Sequence, residues 1–183
     1  MNTLPSAADI VGMLREARPL PLDRLTVEQG LYGLVDHTGA VKYIGMTATS
    51  FRDRVFRKHL SGSESNSHMF SKRYNVGRMW RDKDQPSSEQ TDSRFSKQVR
   101  NAFIKQYCRA VCVSISAPKT CLAELEKQVI RLAPKSMTAW NSSPGSLGAE
   151  PSELVDEFIL QTGLTRDQIH ALERQRARSL LCG

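Results

Sequence analysis

Two short apolar runs, Gly30-Leu31-Tyr32-Gly33-Leu34-Val35 and Val41-Lys42-Tyr43-Ile44-Gly45-Met46, flank the polar stretch Asp36-His37-Thr38-Gly39. Runs of this length on so short a link have one compact solution, an antiparallel β-hairpin. Gly39 suits the positive φ that a tight hairpin demands. The spacing predicts strands over 31–35 and 41–46. Side chains alternate along a strand, so Tyr32 and Tyr43 can share one face. The rest of the chain must then cover a small sheet.

The remaining pattern is mostly helical. Residues 7–17 carry Ile10, Val11 and Leu14 on one face, and Pro19-Leu20-Pro21 stops them. A turn is expected within 22–29. Thr49 or Ser50 can cap a helix from 51 to about 60, with Phe51, Val55 and either Phe56 or His59 inward. Residues 61–67 read as a polar loop and 68–74 as a further helix. Residues 81–93 are polar and without period, and an exposed, mobile insertion is expected there. Helical spacing resumes over 94–107, followed by an apolar, β-branched strand at 109–115. Thr120 is placed to cap a helix over 121–132 that ends before Pro134. A loop with Asn141, Pro144 and Gly148 leads to helices over 152–161 and 165–181, the second opened by the capping box Thr165-x-x-Gln168. The expected fold is α/β (α+β), with a three-stranded antiparallel sheet flanked by helices. The expected organisation is an N-terminal helical extension at 1–28, a central domain at 29–145 and a C-terminal helical hairpin at 150–183.

The chain has 183 residues, with 26 Lys plus Arg against 19 Asp plus Glu, a net charge of +7. That surplus suits a polyanionic partner, most simply nucleic acid. Cys108, Cys112, Cys121 and Cys182 form no C-x-x-C pair and have no histidine at finger spacing, so a zinc site is not expected. They read as reduced thiols in a cytoplasmic protein. No stretch approaches membrane-spanning length, and the N-terminal residues lack the pattern of a signal peptide.

The order of polar residues then carries a family resemblance. Gly30-Leu31-Tyr32, ten intervening residues, Tyr43-Ile44-Gly45, a helix with Phe51-x-x-Arg54, a helix with Leu125-Glu126-x-x-Val129-Ile130 and finally Asn141 together resemble the GIY-YIG nuclease superfamily, over about 29–141. The resemblance implies a GIY-YIG-like sheet-and-helix domain and metal-dependent hydrolysis of phosphodiesters, with DNA as the expected partner and RNA not excluded. It implies that Tyr32 or Tyr43 orients or deprotonates the attacking water. Arg54 would hold the phosphate bidentately. Glu126 would hold Mg2+, with Mn2+ as a substitute. Asn141 would brace the site or touch phosphate.

The chain departs from the family pattern in two places. Four residues after the arginine, where relatives often carry histidine or tyrosine, stands Lys58, with His59 one further on; either fills that place. After the Tyr-Ile-Gly glycine stands Met46, where many relatives have lysine or serine. Lys42 carries positive charge nearby, though strand alternation aims it at the other face. Arg57 is expected on the side of Arg54. Lys72 and Arg73, expected outward from an amphipathic helix, are candidate backbone contacts with Arg57 and Lys42.

Each feature also has an ordinary reading: paired strand aromatics, a solvated basic helix face, a surface glutamate and a turn asparagine. The alternatives are accordingly a nucleic-acid-binding module without catalysis, or a protein-interaction domain using its terminal helices. The last two helices have a faint helix-turn-helix rhythm, but packing on the core or a homodimer contact suits them better.

Overall fold

The computed structural model describes residues 4–62, 68–81, 90–142 and 148–181. Four strands form one antiparallel sheet: β1 (Leu20–Pro21), β2 (Gly30–Val35), β3 (Val41–Thr47) and β4 (Arg109–Ser114), in the order β1-β4-β2-β3. The expectation of three strands is therefore one short. Two-residue β1 pairs Leu20 with Ala110 and Pro21 with Arg109. Proline has no N–H for a ladder and is confined to sheet edges, where β1 lies. In sequence Pro19 and Pro21 signal only the end of the preceding helix.

The hairpin forms as expected. Asp36 closes it: its Oδ1 accepts from the Thr38 N–H at 2.9 Å, the Thr38 hydroxyl at 2.6 Å and the Ala40 N–H at 3.1 Å. Gly39 sits at φ +82°. Strand β2 is buried along its whole length. Its alternation sends Leu31 and Val35 into one core cluster and Tyr32 and Leu34 into another.

Helices α1 (Ala7–Glu16) and α4 (Lys119–Leu132) cover the first face, packing Ile10, Leu14, Leu122 and Val129 on Leu31, Ile44 and Val111. The opposite face is covered by the helix Arg52–His59, α2 (Met69–Arg73), α3 (Gln90–Tyr107), α6 (Ser152–Thr162) and α7 (Arg166–Leu181). Phe70, Phe103, Phe158 and Leu172 bring these elements into one core with Tyr32. The N-terminal helix thus packs on α4 and the sheet, while α7 packs against α3 and residues 77–79 and joins the core cluster that contains Tyr32.

Several boundaries differ from expectation. Helix α3 starts at Gln90, so the end of the expected insertion is helical, and Asp92 accepts two N–H bonds from Arg174 at 2.7 and 3.0 Å. Residues 82–89 lie outside the described residues. Helix α4 begins behind Pro118 with no side-chain cap, so Thr120 does not cap it. Asn141 stands on a short helix, α5 (Ala139–Ser142), rather than in a loop. The capping box at the start of α7 is formed: Gln168 Oε1 accepts the Thr165 N–H at 2.9 Å, and Thr165 Oγ1 accepts the Gln168 N–H at 3.3 Å.

The C-terminal hairpin is pinned by buried Arg78. Its Nε donates to Glu150 at 2.8 Å, one Nη donates to Asp156, and the other donates to the Ser152 carbonyl at 3.2 Å. Arg176 lies 3.9 Å from the same Glu150. The α7 arginines Arg174 and Arg176 are thus engaged by carboxylates of their own chain. Cys108, Cys112 and Cys121 are free thiols, and Cys182 lies outside the described residues. Among the described residues no helix is long and apolar enough to cross a membrane.

Candidate active site

The site begins with the hairpin register. Tyr32 stands opposite Gly45, so Tyr43 is its diagonal neighbour on the same face. The two ring centroids lie 6.3 Å apart, with the rings tilted by 35°. A β-carbon at Gly45 would meet Tyr32 Oη at 2.6 Å and Tyr43 Cε1 at 2.7 Å. The glycine of Tyr-Ile-Gly is thus the floor on which both rings rest. Tyr32 is completely buried and Tyr43 half-buried.

The helix over Arg52–His59 supplies the next two groups. It is not an ordinary α-helix: its turns are π-type, and the Leu60 N–H reaches back five residues to the Val55 carbonyl. Ser50 caps it by accepting the Asp53 N–H at 3.2 Å. The wide turn brings residues five apart onto one face. Arg54 and His59 therefore meet over Tyr32: Arg54 Nε donates to Tyr32 Oη at 3.2 Å, and His59 Nε2 lies 2.7 Å from the same oxygen. His59 also packs against Tyr43, ring centroids 5.5 Å apart. Between the two residues competing for this place, the fold brings in buried His59 and leaves Lys58 exposed. The same turn leaves Arg57 exposed, paired with Asp53 at 3.0 Å, while Arg54 is half-buried. The expectation that Arg57 projects with Arg54 assumes α-helical spacing; in the wider turn a residue three along swings away from that side.

Glu126 arrives from α4, one turn before buried Val129, and is half-buried beside β3. Its charge acts on both tyrosines and on Arg54. Burial raises its carboxyl above the ordinary glutamate value, opposed by the Met46 N–H and by Arg54. Burial pushes Tyr32 up strongly, with Tyr43 adding to the push and Arg54 opposing it. Burial and then Glu126 raise Tyr43, with Arg54 again opposing. Burial alone would lower Arg54, but the phenols and Glu126 outweigh it and leave its pKa raised. Burial, followed by the charges of Arg54 and His68, holds His59 well below the ordinary histidine value.

Asn141 works on the backbone. Its Oδ1 accepts the Ile44 N–H at 2.9 Å and its Nδ2 donates to the Ile44 carbonyl at 2.8 Å. β3 is an edge strand, and the asparagine amide pairs with its outer rim between Tyr43 and Gly45. Asn141 thus braces the strand that carries Tyr43. Lys42 lies 3.9 Å from Asp36 in the hairpin's own turn. Lys72 is half-buried. Arg73, expected outward, is buried with its guanidinium 5.8 Å from the centre of the Trp140 ring. Long basic side chains cover apolar surface with their stems, which hydropathy patterns do not register.

Sequence reasoning missed two groups. The Met69 N–H donates to His59 Nδ1 at 3.0 Å, and the Ser71 hydroxyl donates to the Leu60 carbonyl at 2.6 Å. A backbone N–H leaves no trace in sequence. Ser71 left one signal, a small hydroxyl on the buried side of an aromatic and basic run.

Among the described residues no group of three or more His, Cys, Asp or Glu comes together around a metal position. A single carboxylate at the edge of a polar cluster suits Mg2+, which keeps several waters and takes one or two carboxylates plus substrate phosphate. The half-buried Arg54, Tyr43 and Glu126 can together bind a phosphate and orient a water beside it. A scan against protein-family models, a search of curated proteins and a search of solved structures each return no match to this chain.

Proposed function

We propose that this chain is a metal-dependent endonuclease of the GIY-YIG type, on a GIY-YIG-like domain, that hydrolyses phosphodiester bonds of DNA. The observation that carries the reading is the convergence of Tyr32, Tyr43, Arg54 and His59 on one face of the hairpin, with Glu126 arriving from the other side at the β3 edge, where it accepts the Met46 N–H within reach of the Arg54 charge. The net charge of +7 supports a polyanionic substrate. The free thiols of Cys108, Cys112 and Cys121 support a reducing, cytoplasmic setting.

The two tyrosines divide the work by burial. Tyr32 is closed off from solvent and held by Arg54 and His59, so it orients the site. Tyr43 is half-open and is the phenol placed to align the attacking water, its raised pKa keeping the O–H in place. Arg54 gives Nε to Tyr32. A guanidinium has five N–H donors, so donors remain for a phosphate oxygen and for the charge that builds on phosphorus. Glu126 is the residue that would hold Mg2+ or Mn2+. Such an ion supplies Lewis-acid stabilisation of the phosphate and the leaving oxygen. Asn141 keeps β3, and with it Tyr43, in register. A double-strand cut from one site per chain favours a homodimer.

The test is cleavage of supercoiled plasmid with Mg2+ or Mn2+, with a chelator control, comparing the parent with Arg54→Ala and Glu126→Ala. Metal-dependent nicking or linearisation lost in both variants supports the reading. Cleavage that survives both substitutions removes this site from the reaction. Tight DNA binding by a folded parent that never cuts favours the binding-module alternative.

A further inference from the structure

We propose that α2 is a positioning element that keeps His59 a fixed hydrogen-bond donor to Tyr32, so that His59 orients the phenol without exchanging protons. The inference rests on the nuclease reading for the purpose of Tyr32, but not for the state of the imidazole.

Both ring nitrogens of His59 are committed. The Met69 N–H, at the start of α2, points at Nδ1 from 3.0 Å inside the core. An N–H donor there requires Nδ1 to be the unprotonated, accepting nitrogen. The ring proton is then on Nε2, which faces Tyr32 Oη at 2.7 Å and donates to it. Tyr32 Oη thus receives two N–H bonds, from His59 and from Arg54. A proton arriving at His59 finds Nε2 occupied and the Nδ1 lone pair covered. Protonating Nδ1 would set two N–H groups against each other in a buried place, which is costly. The neighbours act in the same direction: Arg54 and His68 oppose a cationic imidazole, and burial raises the phenols of Tyr32 and Tyr43, which disfavours an anionic partner for it.

Ser71 makes this geometry durable. It is completely buried, and its hydroxyl ties α2 to the Leu60 carbonyl, one residue beyond His59. Helix α2 therefore cannot slide along the arginine helix without breaking a short buried hydrogen bond. At its other end Arg73 lies over Trp140, beside the Asn141 that braces β3. One five-residue helix thus touches His59 at one end and the neighbour of Asn141 at the other.

The experiment has two arms. In the first, 15N-histidine spectra of the full chain are recorded between about pH 5 and 8, the range where an ordinary histidine titrates. His59 is expected to stay neutral with its proton on Nε2 throughout. Ser71→Ala is expected to mix the tautomers. In the second arm, plasmid cleavage is compared for the parent, His59→Gln and His59→Ala. Glutamine places an N–H where imidazole Nε2 stands but cannot shuttle a proton. His59→Gln is expected within about tenfold of the parent with an unchanged pH profile, against the roughly 10²–10⁴-fold cost of losing a general acid–base group. His59→Ala is expected to fall well below His59→Gln. A proton on Nδ1, titration of His59 in that range, or a glutamine variant as inactive as alanine overturns the proposal. A parent that cuts nothing removes the nuclease reading, and the tautomer then decides the proposal alone.

Discussion

Two places in this molecule gather arginine and carboxylate out of water, and they are built in opposite ways. At the C-terminal hairpin, Arg78 is paired with Glu150, Asp156 and Glu173, and it also donates to a backbone carbonyl. At the hairpin face, Arg54 and Glu126 are in no ion pair among the described residues, although each feels the other's charge. Arg54 instead leans on a phenol, and Glu126 is raised by burial. A saturated cluster has nothing left to offer a ligand and serves to fasten elements together. An unsaturated one holds perturbed groups ready for a charge that arrives from outside, which is the usual condition of a working site.

The tightest of these contacts are those of Arg78. Arg78→Ala leaves Glu150 buried without its main partner and is expected to cost about 3–5 kcal/mol of folding stability, read from urea denaturation. A loss under about 1 kcal/mol would show that this cluster is not the fastening it resembles. Arg54→Ala should do the reverse. Its expected cost is about 10²–10³-fold in cleavage, as for a lost oxyanion donor, with a much smaller change in stability. A variant that unfolds as readily as Arg78→Ala would make Arg54 structural too.

Acid sharpens the contrast next. His59 is held neutral in the fold, whereas the unfolded chain protonates it near pH 6.5. Below that pH the unfolded state binds the extra proton, so stability falls as pH drops, by at most about 1.4 kcal/mol per pH unit. Glu126, raised in the fold, works in the opposite sense at more acid pH. Urea denaturation at stepped pH should show this slope in the parent and lose it in His59→Gln. The smallest effect belongs to exposed Lys58: Lys58→Ala should change stability by less than about 0.5 kcal/mol and leave cleavage well above that of Arg54→Ala. A collapse of cleavage there would return Lys58 to the centre.

Much of this was legible from residues. The hairpin, the helix face of Phe51 and Val55, the α7 capping box and the order of the polar residues all follow from local chemistry and period. What stayed hidden depends on contacts that period does not encode. A π-type turn and an α-helical turn share one hydropathy pattern, so Lys58 and His59 could not be separated until the turn width was known. Strand β1 hides in two residues that read as a helix stop. Arg73 looks like surface until Trp140 is found beneath it. Asn141 sits where turn chemistry is expected, and its true partner is the backbone of a strand 97 residues earlier.

If the open cluster cuts phosphodiesters, its half-exposed phenol meets the water. The most direct test is single-turnover cleavage of supercoiled plasmid in Mg2+ by the parent and by Tyr43→Phe, a change that removes one oxygen and keeps the ring. Metal-dependent cutting by the parent is expected, with a loss of about 10²-fold or more in Tyr43→Phe, both proteins remaining folded. A Tyr43→Phe variant that cuts at the parent's rate, or a folded parent that leaves DNA intact with either metal, would contradict it.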